Sequence, residues 1–424
     1  MNERNDQRSM KKRRPLKAVL ALLFITFCMT CLPAAPVHAG VRLSKTFLTL
    51  VEGQSATLKL SGTKKKITWK SSDKAVAAVS KKGKVTAKAP GTATISAKAG
   101  KTTKKCKVTV TVNYARLYEY QVKYGKVTIN KLLRISDAKL VIPETIEGCP
   151  VVELADGLFK GCDGLVSVTL PSGVSAIGDS MFYGCSSLRE IKSGEICSLG
   201  AYAFYECRSL AALPALSSIP AVGDYAFYNC DALETLTLPA TVKSVGAYAF
   251  YDCDALCSFF GPAELSSIGD QAFKSCDSLM LVNGNSSVQT VGAECFADCK
   301  RLGNAAFGNK LTTLGAGCFS GCETLSSVTL SATLTAVPDR CFYGCYALAS
   351  LTVPASVTRI GNMAFFNCIR LNVLTIPGAA VTSIAPDAFA GVPLAGLNIY
   401  YRASSYIESW AKGLGIAPDH LHTI

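Results

Sequence analysis

From Cys322 to Phe342 the chain reads C-E-T-L-S-S-V-T-L-S-A-T-L-T-A-V-P-D-R-C-F. Leu325, Val328 and Leu330 fall at the spacing L-x-x-L-x-L. Successive side chains of a strand point to opposite faces, so Val328 and Leu330 turn inward while Ser327 and Thr329 turn out. Leu334 and Val337 bring the chain back on the opposite side, and Phe342 closes the turn. From Cys345 the same order returns as Leu348, Leu351, Val353, Pro354, Val357, Ile360 and Phe365.

Both stretches lie on one ruler. Phenylalanine recurs as Phe159, Phe182, Phe204, Phe227, Phe250, Phe273, Phe296, Phe319, Phe342, Phe365 and Phe389, at intervals of 22 to 24 residues. A cysteine stands three residues after each of the first ten, from Cys162 and Cys185 to Cys345 and Cys368. A fixed period between about 20 and 50 residues marks units that bury their apolar face only by stacking on neighbours. Parallel strands about 4.8 Å apart would form one long curved sheet. The expected fold is mainly β: a leucine-rich-repeat solenoid over residues 159–391, with a parallel β-sheet on its concave face.

Upstream the character changes twice. Residues 1–39 read as a secretory signal: Arg13, Arg14 and Lys17 precede an apolar core from Ala18 to Leu32, and Val37-His38-Ala39 is a small-x-small cleavage site. Met10 opens a shorter version of the same signal. No membrane span is expected once the signal is cleaved. Residues 40–113 carry short alternating strands with turn residues every 8 to 12 positions, the pattern of a β-sandwich, with Trp69 as its natural core tryptophan. Trp69 to Val79 reads W-K-S-S-D-K-A-V-A-A-V, and Gly83 to Ile95 reads G-K-V-T-A-K-A-P-G-T-A-T-I. These segments resemble the bacterial Ig-like group 2 module. The resemblance implies a surface-protein spacer or adhesive module.

Charge divides the chain in the same places. Residues 40–113 hold 17 Lys and Arg against 2 Asp and Glu, whereas residues 114–424 hold 20 against 26. Lys64, Lys65, Lys66, Lys81, Lys82 and Lys84 cluster near predicted turns. Such density concentrates anions. An anionic cell-wall polymer or acidic glycan is the expected partner, against the plainer alternative of a solvated lysine surface. No aromatic side chains interleave these lysines for base stacking, so nucleic acid is not expected.

Residues 114–158 read as an N-terminal cap and 392–424, with Trp410, as a C-terminal cap. The segment Leu236 to Cys253 reads L-T-L-P-A-T-V-K-S-V-G-A-Y-A-F-Y-D-C. It resembles the rung of the BspA-type leucine-rich repeats of bacterial surface proteins, and the likeness extends over about three hundred residues. The resemblance implies adhesion to an extracellular matrix protein, a cell-surface protein or a glycan. A structural wall or matrix component without a specific ligand is the alternative.

No catalytic constellation is legible. Past residue 39 the only histidines are His420 and His422, so a Ser or Cys nucleophile has no base within the repeats. The His420-x-His422 pair reads as a solvated tail rather than a metal site. No enzyme activity and no cofactor are expected. The seventeen cysteines beyond the signal include one per rung, read as small buried hydrophobes in a repeated slot. Parallel stacking of rungs is poor disulfide geometry, so free thiols are expected.

Strand positions five, seven and nine after each rung cysteine are expected to face outward. Several rungs put small polar residues there, such as Ser167 and Thr169 or Ser350 and Thr352. The middle rungs put Phe260, then Leu281, Asn283 and Asn285, then Asn304, and lose the Leu-Pro that ends the strand elsewhere. These five are the candidate ligand-binding residues. The aromatic row Tyr183, Tyr205, Tyr228, Tyr251, Tyr343 and Phe366 reads as edge packing.

Overall fold

The computed structural model describes residues 40–134, 137–403 and 405–424. The expected signal, residues 1–39, lies outside them. The described chain forms two compact units, one ending at Val112 and one running from Asn113 to Ile424.

The first unit is a sandwich of short sheets. Phe47–Val51, Thr102–Thr111, Gly91–Ala99 and Ile67–Ser71 form a four-stranded sheet, and Ser55–Thr57, Lys84–Ala87 and Ala77–Val79 form a three-stranded one. Alternation explains the division of faces. Leu48, Leu50, Ile95, Val108 and Val110 are buried, while Phe47, Lys105 and Lys107 between them face out. Trp69 is only partly buried, packed against two small core clusters.

The second unit opens with a hairpin, Tyr118–Lys123 against Lys126–Leu132, which Cys149–Leu154 joins in parallel. Rungs then follow one another. The rung phenylalanines are buried and stack from Phe159 to Phe389, with ring centroids 4.8 to 5.7 Å apart. Each turn around a phenylalanine from Phe159 to Phe365 has left-handed backbone on both sides: Tyr248 (φ 56°) and Asp252 (φ 57°) flank Phe250. That conformation costs about 1–2 kcal/mol for a residue with a Cβ. Hydrogen bonds to the next rung offset it, with the N–H groups of Tyr248, Phe250 and Asp252 donating to Asp270, Ala272 and Lys274 at 2.8 to 2.9 Å.

The expectation of one continuous curved sheet is corrected. The strand face is in three pieces. Lys139–Val141, Ser167–Thr169 and Glu190–Lys192 pair in register. A second piece joins Ser258–Phe260, Leu281–Asn283, Asn304–Ala306 and Ser327–Thr329. A third joins Ser350–Thr352 and Val373–Ile376 to Asn398–Tyr401 and Leu421–Thr423. The first interruption includes the rung at Cys207, where Pro214 occupies strand position seven and supplies no N–H for a ladder. The C-terminal segment does more than cover the end. It adds two strands to the sheet, and the helix Tyr406–Gly413 lays Trp410 against Phe389 with centroids 5.1 Å apart.

Candidate ligand-binding face

In the second piece of the strand face, Phe259 is buried and Phe260 is 55 % exposed. Two adjacent residues of one strand cannot both enter the core, and the larger burial goes to the ring that packs on Phe273, 4.6 Å away. Phe260 lies opposite Asn283, and Leu281, 37 % exposed, lies opposite Asn304. These four side chains form one exposed patch, two apolar and two amide groups on neighbouring strands. The flanking rungs present Ser327 and Thr329, or Ser350 and Thr352.

Asn285 does not join them. The strand ends at Asn283, and the chain turns inward at Gly284, where a Cβ would lie 2.4 Å from the Phe307 ring. Asn285 adopts φ 62° and clamps the turn. Its amide nitrogen donates to the Pro262 carbonyl, and its side-chain oxygen accepts the Ser287 N–H. Met280, 45 % exposed beside Leu281, extends the patch. It stands four residues after Cys276, just before the strand, where the alternation argument assigns no face.

The lysines of the first unit fall into two groups. Lys64, Lys65 and Lys66 precede the strand Ile67–Ser71, whereas Lys81, Lys82 and Lys84 belong to the hairpin between Ala77–Val79 and Lys84–Ala87. All six are exposed. Among the described residues, all eight ion pairs within 4 Å join residues of the second unit.

The cysteines do more than fill an apolar slot. Each thiol from Cys185 to Cys368 in the rung ladder donates to the carbonyl of the preceding rung's phenylalanine. Examples are Cys253 to Phe227 at 3.2 Å and Cys299 to Phe273 at 3.0 Å. In several rungs the same carbonyl also accepts a main-chain N–H, as Phe182 does from Cys185, and there the thiol fills its second lone pair. Burial pushes the Cys185 and Cys368 thiols up to about 12, the opposite of what a nucleophile needs. Cys197 differs: it is exposed, and hydrogen bonds from Ser217 and Ser218 lower its pKa.

The remaining expectations fare unevenly. The tyrosine row stacks face to face along the turns, Tyr183 to Tyr205 to Tyr228 to Tyr251, at 4.5 to 4.8 Å. A second row, Tyr202, Tyr225 and Tyr248, stacks beside it at 4.6 to 4.7 Å. The ring faces are used on one another, leaving edges to solvent. The histidines are not a solvated tail. His420 Nδ1 and His422 Nε2 both meet Asn398 Oδ1, at 3.1 and 3.2 Å, and His422 stacks on Tyr400. Among the described residues no group of three or more His, Cys, Asp or Glu is placed to hold a metal ion. Nor is any described helix long and apolar enough to cross a membrane.

Comparison with known proteins bears on this geometry. The chain matches the BspA type leucine rich repeat region in six copies, over residues 152–280, 193–303 and 289–411. Residues 38–110 match the bacterial Ig-like domain, group 2. No curated protein matches. Among solved structures, a leucine rich cell surface protein of Faecalibacterium prausnitzii is 24% identical, covering 70% of this chain and 95% of its own, with a TM-score of 0.40. A leucine-rich repeat protein of Bacteroides ovatus is 23% identical, covering 72% and 97%, with a TM-score of 0.42. The pneumococcal vaccine antigen PcpA is 16% identical, covering 72% and 96%, with a TM-score of 0.37. The repeat match spans more than half of the chain, and rung strands pair in parallel, residue for residue, at the repeat period; the chain belongs to the BspA-type leucine-rich-repeat family and carries an N-terminal bacterial Ig-like domain.

Proposed function

We propose that this is an exported surface protein that binds an extracellular protein or glycan through the strand face of its repeats, without catalysis. The observation that carries the reading is the exposed patch of Phe260, Leu281, Asn283 and Asn304 beside rungs that present Ser327 and Thr329 or Ser350 and Thr352. Interface energy concentrates in a few aromatic anchors, and asparagine both donates and accepts. The basic Ig-like unit holds the protein on anionic wall polymer through its exposed lysines.

The test is capture by the chain from Gly40 onward, with immobilised matrix proteins and whole bacterial cells as targets. For any captured ligand, Phe260→Ala and Asn283→Ala are expected to weaken binding about tenfold, the scale of one lost anchor or hydrogen-bond set. Thr169→Ala, on a regular rung, leaves it unchanged. Equal affinity of all three variants would sink the assignment and favour a structural wall component. Retention on purified cell wall should fall steeply as salt rises, because exposed charges are screened beyond about 8–10 Å at physiological ionic strength. Salt-independent retention would remove the lysines from the account.

A further inference from the structure

The rung that begins at Cys322 is bonded differently from its neighbours, and Pro338 is the cause. In the ladder opposite the strand face, the N–H groups of Gly269, Gly292, Gly315 and Gly361 donate to the preceding rung at 2.8 to 2.9 Å. The approach is so close that a Cβ on Gly315 would lie 2.2 Å from the Ala293 nitrogen. The equivalent position after Val337 is Pro338, which has no N–H and carries a Cβ. Ala336–Val337 accordingly does not pair with Thr313–Leu314 behind it, and pairs only with Arg359–Ile360 ahead. On the strand face the same rung does the reverse. Ser327–Thr329 pairs back to Asn304–Ala306, and no ladder joins it to Ser350–Thr352. The rung is therefore tilted between its neighbours, and a wedge opens on the strand face.

The wedge is a cleft of about 470 Å³ between the two strands, within the roughly 300–1,000 Å³ range of small-molecule sites. Val328 on its floor is partly exposed, whereas Val168, Val282 and Leu351 at the same position are buried. Strand alternation turns the peptide groups of Val328 on one lip, and of Ser350 and Thr352 on the other, into the gap. The hydroxyls of Ser327, Thr329, Ser350 and Thr352 stand around it and form no hydrogen bond among the described residues, whereas that of Ser326 is tied to the Gly303 carbonyl at 3.2 Å. No ionisable side chain lines the cleft.

We propose that this cleft binds a short neutral oligosaccharide. A sugar ring has an apolar C–H face for Val328 and hydroxyls that both donate and accept for the free peptide and side-chain groups. The absence of lining charge disfavours an ionic ligand. An inserted peptide strand does not fit: it would need the flanking strands about 9.6 Å apart, twice the normal spacing, yet Cα atoms of the two lips still lie within 8 Å of each other.

The site is separate from the Phe260 patch, and its test does not depend on that reading. The full chain from Gly40 is titrated with neutral tetrasaccharides of glucose, galactose, mannose or N-acetylglucosamine, followed by saturation-transfer NMR and calorimetry. At least one is expected to bind. Thr352→Val, which removes a lip hydroxyl, and Pro338→Gly, which restores the ladder and closes the wedge from the far side, are each expected to weaken it about tenfold. Phe260→Ala leaves it unchanged. Pro338→Gly adopts the residue that regular rungs already carry, so its fold, checked by circular dichroism, is preserved. Failure of every tetrasaccharide to bind, or undiminished binding by Pro338→Gly, overturns the proposal.

Discussion

The two units cover the apolar face of a β-sheet in opposite ways. In the Ig-like unit, sheet faces sheet, and the core is a closed set led by Leu48, Leu50, Ile95, Val108 and Val110. In the repeat unit each rung folds back on itself and leaves its two broad surfaces open, so that only the next rung completes it. The closed core takes one cysteine, Cys106, whereas the open one takes twelve buried cysteines, stacked at a fixed period. The difference teaches where stability resides. The sandwich depends on packing between two different sheets, whose paired strands can lie far apart in sequence, as Phe47–Val51 and Thr102–Thr111 do. The solenoid depends on repeated contacts across about one period, each too small to hold a rung alone.

The largest test of this contrast is alkaline pH. Burial raises the folded-state pKa of the rung thiols above the ordinary value of 9.0, to about 12 for Cys185. A group whose pKa is raised on folding contributes stability below its unfolded value and loses it as pH climbs through the window up to the folded value. Each such thiol should therefore withdraw about 1.4 kcal/mol per pH unit above about pH 9. Twelve buried thiols make the repeat unit far more alkali-sensitive than the Ig-like unit, which has one. Separate thermal transitions followed between pH 8 and 11 should diverge; parallel decline of both would break the contrast.

Next in size, Phe250→Ala removes one ring from the middle of a continuous stack, with neighbours at 5.2 Å on either side. A loss of about 3–5 kcal/mol is expected from the repeat-unit transition. The Ig-like transition should not move, which denaturant unfolding of the full chain would show.

Smallest is the thiol hydrogen bond itself. Cys253→Ala leaves the Phe227 carbonyl one donor short and should cost about 1–3 kcal/mol. Cys253→Ser keeps a donor and should cost less. If Ser proves worse than Ala, the slot is apolar after all, as the sequence alone suggests.

That point shows how far the sequence reaches. The period of the phenylalanines, the inward Val and Leu positions, and the placement of Phe259 inside with Phe260 outside are all legible, because alternation and spacing within one rung fix them. The β-sandwich and its strand pattern are legible for the same reason. Asn285 is misread because counting by twos assumes a strand that continues, and the turn at Gly284 ends it. The second tyrosine row is missed because Tyr202, Tyr225 and Tyr248 sit on left-handed residues, where strand alternation does not apply. The sequence by itself determined the repeat, its core and the charge contrast between the two units. Only the tertiary structure decided which carbonyl each thiol meets, where the strand face breaks, and that Pro338 tilts a rung. Those depend on how residues about 23 positions apart approach one another, a distance set by packing between rungs that no pattern within one rung contains.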